Sequence, residues 1–377
     1  MRIPVCIPVI PKKAKEYVNA VIDKNWVSSL CLDEDVNFLK KLEEGFSSFI
    51  GVRYGIAVTS GTTALDLAVA TLGLSPGDEV IVPSFTMIAS VTPIIRSGAR
   101  PVFVDADETT WCMDVQAVKK AVTEKTKAIM AVHIYGYPAD MGAIMQIARE
   151  HNLYVIEDAA EAIGTQHKGR MVGGIGTIGC FSFYANKTMT CGEGGLLVTD
   201  HEEHARRAAK LKDQAFGEPR FIHDDIGFNF RMNNLTAAYA YASFEEVSGY
   251  IEKRIKNAAL YDVVLSDIKG IVRPPHGDNG CRNSYWMYGV LVDPARYGRT
   301  KNELRGLLKA EHGIDTRDFF FPMHKQPIMV QKGYATEETR MPVSEKLWDQ
   351  GFYLPSSTDL TEEQINYVGD ALRTLAT

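Results

Sequence analysis

Residues 182–195 read Ser182-Phe183-Tyr184-Ala185-Asn186-Lys187-Thr188-Met189-Thr190-Cys191-Gly192-Glu193-Gly194-Gly195. A lysine stands between two β-rich apolar runs, 178–183 and 195–199, a few residues after a serine and just before a glycine-rich turn. Most lysines are solvated, but the small and apolar neighbours of Lys187 predict an enclosed amine, and enclosure favours its neutral form. A neutral amine can form a Schiff base with a carbonyl carbon. Outward from this stretch, further short apolar runs at 54–59, 79–83, 101–104, 128–133 and 153–157 alternate with amphipathic segments at 62–72, 88–97, 114–121 and 140–151. That alternation predicts an α/β fold, a mostly parallel sheet covered by helices on both faces. Helical patterns follow at 201–214 and 233–266, the second read as one long strut. Beyond the turn formers of 270–276, with Pro274 and Pro275, the segments 285–292, 301–312 and 361–375 predict a smaller α+β unit. We expect a large domain over 1–250, including an N-terminal helical segment, and a small C-terminal domain over 251–377.

Composition sets the class. Of 377 residues, 45% are hydrophobic and 23% charged, as in ordinary globular chains with a sizeable core. A net charge of −6 leaves no basic excess for neutralising nucleic-acid phosphates. The six cysteines are dispersed without a C-x-x-C pair, so they read as reduced thiols of a cytoplasmic protein. The apolar residues 3–10 are interrupted by Pro4 and Pro8 and followed by Lys12 and Lys13, the wrong order for a signal peptide. No uncharged apolar run reaches the ~20 residues of a membrane span. Neither nucleic acid nor membrane is expected as a partner, and no metal is expected.

Three other stretches carry chemistry. Gly174-Ile175-Gly176-Thr177-Ile178-Gly179 matches G-x-G-x-x-G, and Asp200 follows about 20 residues later. A dinucleotide fingerprint needs a helix after the glycines, whereas Cys180 to Tyr184 are β-like, so we read a loop between strands. Ser60-Gly61-Thr62-Thr63-Ala64-Leu65 follows a strand and opens a helix, which is either an ordinary cap or a phosphate cradle built from first-turn amides. Val155-Ile156-Glu157-Asp158-Ala159-Ala160-Glu161 ends an apolar strand in acids, at the edge where open α/β sheets place their ligand crevice. Asp158 and Glu161 there suit a metal, acid/base work, contact with a cationic heterocycle, or helix capping.

A phosphate cradle, an acid at a strand end and a Schiff-base lysine together are what pyridoxal 5'-phosphate requires: an anchor, a partner for the ring nitrogen and a covalent tether. Here the sequence resembles the fold-type-I pyridoxal-phosphate enzymes, and among them the DegT-type sugar-nucleotide aminotransferases. The resemblance spans nearly the whole chain, through residues 25–29, SGTTAL, IEDAAEAIG, FSFYANK, GEGG, residues 227–232 and the stretch from Arg317 to His324. Tyr285-Trp286-Met287-Tyr288 and Pro322-Met323-His324 bring it nearest to the perosamine-forming members.

The resemblance implies that Lys187 is the tether and Asp158 the partner of the ring nitrogen. It places Glu161 beside the ring, Ser182 with Gly61, Thr62 and Thr63 around the phosphate, and Asn229, with Arg231 as companion, in the site of a neighbouring subunit of a homodimer. Where relatives carry an aromatic that stacks on the cofactor this chain has Met87, with Phe85 as the other candidate. Trp286, Tyr288, Arg317 and His324 are the implied contacts of the nucleotide sugar, and Phe321 stands where some relatives carry histidine. The implied reaction aminates a 4-keto-6-deoxy nucleotide sugar, GDP-4-keto-6-deoxymannose, with glutamate as donor. Competing readings are a UDP-linked 4-keto or 3-keto sugar as substrate, a sugar 3-dehydratase, against which Lys187 argues, and a cofactor-binding regulator without turnover.

Overall fold

The structure, a computed structural model, describes residues 2–277 and 280–376. The chain opens with helices α1 (Ala14–Asp23) and α2 (Phe38–Ile50), followed by β1 (Tyr54–Val58), α3 (Gly61–Thr71), β2 (Glu79–Pro83), α4 (Thr92–Arg96), β3 (Arg100–Val104), α5 (Val115–Ala121), β4 (Thr126–Val132), α6 (Met141–His151) and β5 (Tyr154–Asp158). A small hairpin, β6 (Gln166–His167) and β7 (Arg170–Met171), leads to β8 (Ile178–Ser182), β9 (Gly195–Thr199) and α7 (Glu202–Lys212). The seven long strands form one sheet in the order β1-β9-β8-β5-β4-β2-β3. Only β9 runs against the others, pairing antiparallel with both β1 and β8. The expected mostly parallel α/β sheet is therefore present, its apolar strands buried between helical layers.

Parallel strands carry their carboxyl ends to one edge, and that edge positions the site. Ser60 follows β1, Thr86 and Met87 follow β2, His133 follows β4, Asp158 ends β5 and Ser182 ends β8. Behind the sheet, α1, α2 and α8 (Asn234–Glu245) close a core in which Phe46 meets Phe181 and Phe183 edge-on, centroids 4.9 and 5.3 Å apart.

The single helix expected over 233–266 is two. Glu246, between α8 and α9 (Val247–Val264), has ψ near 0 and its side chain accepts from Lys12 N at 2.7 Å, so the chain turns there. The segment 88–97 is likewise a 3₁₀ turn, Ile88–Ser90, then the short α4 with Pro93 in its first turn. Helix α9 does bridge two cores: Val247 and Ile251 enter the one behind the sheet, while Ala258 and Tyr261 enter a separate C-terminal one. The position 250/251 thus lies inside a helix.

The C-terminal part comprises β10 (Ile271–Val272), β11 (Cys281–Arg282), β12 (Gly289–Val292), α10 (Pro294–Tyr297), α11 (Lys301–His312), β13 (Arg317–Asp318), α12 (Pro327–Gln331), α13 (Pro342–Gln350), β14 (Gly351–Tyr353) and α14 (Glu362–Leu375). Its sheet runs β10-β12-β14-β13, and β11 pairs instead with β6. The N-terminal residues join this part: Ile3 bridges Ile314, Ser356 N donates to Val5 O, and Ile7 N donates to Ser357 Oγ. No helix among the described residues is long and apolar enough to cross a membrane.

Candidate active site

A cavity of about 430 Å³ opens at the carboxyl edge of the sheet, between it and the C-terminal part. From the sheet it is lined by Gly61, Thr62, Met87, Asp158, Glu161, Ser182 and Lys187, and from the other side by Trp286, Arg317, Phe320 and Tyr353.

The helix start is shaped by its cap. Ser60 Oγ accepts from Thr63 N at 3.1 Å, and Thr63 Oγ1 accepts from Ser60 N at 2.9 Å, a reciprocal capping box. Thr63 is thus engaged in the cap and does not line the cavity, whereas Gly61 and Thr62 do. Gly61 lies against Ser182: a Cβ on it would come within 2.7 Å of Ser182 Cβ. This close approach sets the first-turn amides of α3 beside the Ser182 hydroxyl, a donor set suited to a phosphate.

Asp158 is buried. Its Oδ2 accepts from Ser90 Oγ at 2.7 Å and its Oδ1 from Ala160 N at 3.1 Å. Burial pushes its carboxyl up, and the two hydrogen bonds together with the Lys187 charge pull the other way. Glu161 Oε2 accepts from Tyr135 N at 2.8 Å, and its Oε1 stands 3.9 Å from Lys187 Nζ. Burial pushes the Glu161 carboxyl up to about 7, against the opposing Lys187 charge. Burial likewise lowers the Lys187 amine, with Glu161 and Asp158 opposing. The amide that Tyr135 presents to Glu161 is aimed by a left-handed backbone at that residue, φ +52.

Trp286 Nε1 donates to Asn186 O at 2.9 Å, and its ring lies under the Lys187 amine. Its backbone is pressed against a tight turn: a Cβ on Gly136, itself at φ +101, would stand 2.8 Å from Trp286 N. Arg254, wholly buried, ties the segment down through Nη1 to Trp286 O at 2.5 Å and to Ser356 O at 2.9 Å.

The other expected residues divide. Met87 lines the cavity and is half exposed, whereas Phe85 is 1% exposed and packs on Tyr135, Phe319 and Phe320. Arg317 reaches the cavity from β13. Tyr288 does not: its hydroxyl donates to Asp262 Oδ1 at 2.6 Å and its ring stacks on Tyr261 in the C-terminal core. The chain bends at Trp286 and Met287, and from there Tyr288, Val290 and Val292 all enter that core. His324 is also withdrawn, buried between Ser84 Oγ at 2.7 Å and Glu345 Oε1 at 3.0 Å. Neither lines the cavity, so the expected sugar contacts of these two are not brought to it. Asn229 is exposed and outside its own chain's cavity, and Arg231 is ion-paired with Asp213. Phe321 packs edge-on against Trp348. Tyr353, Thr86 and Ser90 escaped the sequence reading, and Phe320 entered it only within the stretch from Arg317 to His324, because only the tertiary fold brings these ordinary residue types to the edge.

The G-x-G-x-x-G loop holds an internal anion. Glu157, fully buried, accepts from Gly173 N, Ile175 N and Gly176 N at 2.7, 2.7 and 2.5 Å, and no helix follows the loop. Its amides are spent on this carboxylate, which removes the dinucleotide reading.

Phosphate donors at the α3 start, a buried acid ending β5 and an enclosed amine beside Glu161 line one cavity, and this set suits pyridoxal phosphate. The description of the DegT/DnrJ/EryC1/StrS aminotransferase family matches residues 8–373. GDP-perosamine synthase of Escherichia coli O157:H7 is 40% identical over 371 residues, covering 98% of this chain and 97% of that protein. GDP-perosamine synthase of Vibrio cholerae is 36% identical over 373 residues, covering 98% of each. Among solved structures, DesV of S. venezuelae superposes with a TM-score of 0.88 at 32% identity, over 96% of this chain and 94% of that one.

Proposed function

From the premise that this chain belongs to the DegT/DnrJ/EryC1/StrS aminotransferase family, we propose that it uses pyridoxal 5'-phosphate to convert GDP-4-keto-6-deoxymannose into the 4-amino sugar, with glutamate as amine donor. The observation that carries this reading is the convergence of Lys187, Asp158, Ser182 and the first turn of α3 on one cavity, in a chain 40% identical to a GDP-perosamine synthase.

When bound, pyridoxal phosphate supplies an electron sink for carbanionic charge. The chain's own groups do the rest. Gly61, Thr62 and Ser182 would hold the phosphate, and Lys187 would be the tether for the aldehyde carbon. Asp158, as an anion, would partner the ring nitrogen and keep its proton in place, and Met87 would cover the ring with a polarizable thioether. As the amine nearest the reacting carbons, Lys187 would relay protons: in each half-reaction Nζ would take up one proton and pass it on, from the α-carbon of glutamate in the first and to C4 of the sugar in the second. Arg317 is the one cation besides Lys187 among the residues lining the cavity, and it pairs with the diphosphate. Trp286, with Phe320 and Tyr353, supplies flat apolar walls for the sugar. We place Asn229 in the site of a second copy, within a homodimer. The protein acts on small molecules, as a cytoplasmic enzyme.

The test is a complete cycle: purified yellow protein bleaches with glutamate and recovers its colour with a keto nucleotide sugar. A protein that only binds the cofactor does not complete it. Turnover of GDP- and UDP-linked 4-keto-6-deoxy sugars, compared side by side with mass detection of product, settles the base and the position aminated. A clear UDP preference moves the substrate and leaves the Lys187 chemistry standing.

A further inference from the structure

Asp158 is gripped through both oxygens, and one grip leads into a chain of hydroxyls. Ser90 Oγ donates to Asp158 Oδ2 at 2.7 Å, and Ser90 Oγ lies 2.8 Å from Thr86 Oγ1. Ser90 is 0% and Thr86 1% exposed. Both come from the segment after β2, where the 3₁₀ turn Ile88–Ser90 folds Ser90 back beneath the cavity that Thr86 lines.

The direction of this chain is not free, because a hydroxyl carries one proton. When Asp158 is ionised its oxygens only accept, so the Ser90 proton points at Oδ2 and the Thr86 hydroxyl donates to Ser90. When Asp158 holds a proton on Oδ2, that proton points at Ser90, and Ser90 must turn to donate to Thr86. Ala160 N–H, aimed at Oδ1, favours the anion in either case. The titratable groups that face Asp158 are Lys187 beyond β8, His133 at the end of β4 and Glu161 beyond β5, and Cys180 lies on the adjacent strand β8. Burial pushes the Asp158 carboxyl up, and of the two hydrogen bonds that favour its anion the one from Ser90 is the shorter, 2.7 Å against 3.1 Å from Ala160 N.

We propose that Ser90, backed by Thr86, is a positioning residue that keeps the Asp158 carboxylate charged and fixed in orientation toward the cavity. The inference deepens the proposed function, on which it rests, because an ionised Asp158 is what a protonated ring nitrogen needs. A hydrogen bond to an ionised group is roughly twice as strong as a neutral one, and its loss moves a carboxyl by about one pH unit or more.

The experiment uses full-length Ser90→Ala, Ser90→Thr and Thr86→Val and two readouts. The first is the titration of the Asp158 carboxyl without cofactor, followed by ¹³C NMR on aspartate-labelled protein and assigned against Asp158→Asn. Ser90→Ala is expected to raise the midpoint by about one pH unit, Ser90→Thr to restore it, and Thr86→Val to raise it by less. An unchanged midpoint in Ser90→Ala overturns the proposal whatever the cofactor does. The second is the ¹⁵N shift of ring-labelled pyridoxal phosphate in the loaded protein, which is expected to move toward the neutral nitrogen in Ser90→Ala, with kcat down roughly tenfold and the acid limb of its pH profile displaced upward. Equal losses in Ser90→Ala and Ser90→Thr with the ¹⁵N shift unmoved make Ser90 a packing residue and also overturn it. If the unmutated chain takes up no cofactor, the functional reading falls, and the carboxyl titration still decides the role of Ser90.

Discussion

The amine of Lys187 stands 3.5 Å from the centroid of the Trp286 indole, with Glu161 Oε1 3.9 Å from the same nitrogen. An aromatic face carries negative charge density and favours ammonium over amine, by about 0.5–2 kcal/mol depending on desolvation. Trp286 therefore works against burial in setting the charge of Lys187, in addition to walling the cavity. Trp286→Leu is expected to lower the Lys187 titration by about one pH unit or less, and Trp286→Phe to keep part of the effect. The pH profile of kcat reads it, and an unmoved profile in Trp286→Leu refutes the assignment.

Lys187→Ala is expected to lose the visible band of tethered cofactor and all transamination while remaining folded, since no other amine lines the cavity. Asp158→Asn keeps bound cofactor, because the phosphate donors are untouched, but a neutral amide does not hold the ring proton. We expect kcat to fall by about two orders of magnitude or more. Absorbance and single-turnover rates check both, and near-normal turnover in either variant removes that residue from its role.

Glu161 gives a signed pH dependence. Its folded carboxyl is pushed up to about 7 by burial, so its contribution to stability is fully present below the ordinary carboxylate range and is lost as pH rises through about 7. Glu161→Gln removes that loss. In the variant Lys187 is left without its anion, a burden that is also relieved as pH rises. Both effects share a sign: thermal unfolding from pH 5 to pH 8 should show the variant gaining on the unmutated protein. Parallel Tm curves would falsify the account.

The α/β sheet was legible because its strands are uninterrupted apolar runs separated by helical periods. Asp158 and Ser182 end β5 and β8, and Gly61 and Lys187 lie in the connections that leave β1 and β8, so strand topology alone predicts that all four meet at one edge of the sheet. Tyr288 and His324, expected at the cavity, lie away from it for a complementary reason. An aromatic or imidazole beside a strand is as fit for a core as for a ligand, and the bend at Trp286–Met287 that separates Trp286 from Tyr288 leaves no local mark. The break at Glu246 was hidden because its side-chain partner, Lys12 N, lies 234 residues away. Ser90 and Arg254 act through contacts between distant segments, which no window of sequence displays, and Thr86 matters only through Ser90, its neighbour four residues on.

The Glu157 loop yields the last expectation. The carboxylate takes four donors: Ile175 N and Gly176 N on Oε1, Gly173 N and His133 Nε2 on Oε2. His133 Nδ1 accepts from Ala139 N at 3.1 Å, so the imidazole proton sits on Nε2 and points at Glu157. Burial by itself pushes this carboxyl up, yet the His133 hydrogen bond and the loop amides hold it below the usual carboxylate range. The stability it contributes is thus present above the ordinary carboxylate pKa and lost as pH falls through the lower folded value. Glu157→Gln keeps the shape and replaces one acceptor oxygen with an NH₂, which in either orientation faces two donors at closest range. Leaving buried groups unpaired in this way costs about 3–5 kcal/mol. We expect a Tm lowered by several degrees, a flatter acid limb, and turnover per folded molecule close to normal at moderate temperature, since the loop lies outside the cavity. A Glu157→Gln variant as stable as the unmutated chain would mean that the loop amides find other partners, and that the carboxylate is not what closes this glycine-rich turn.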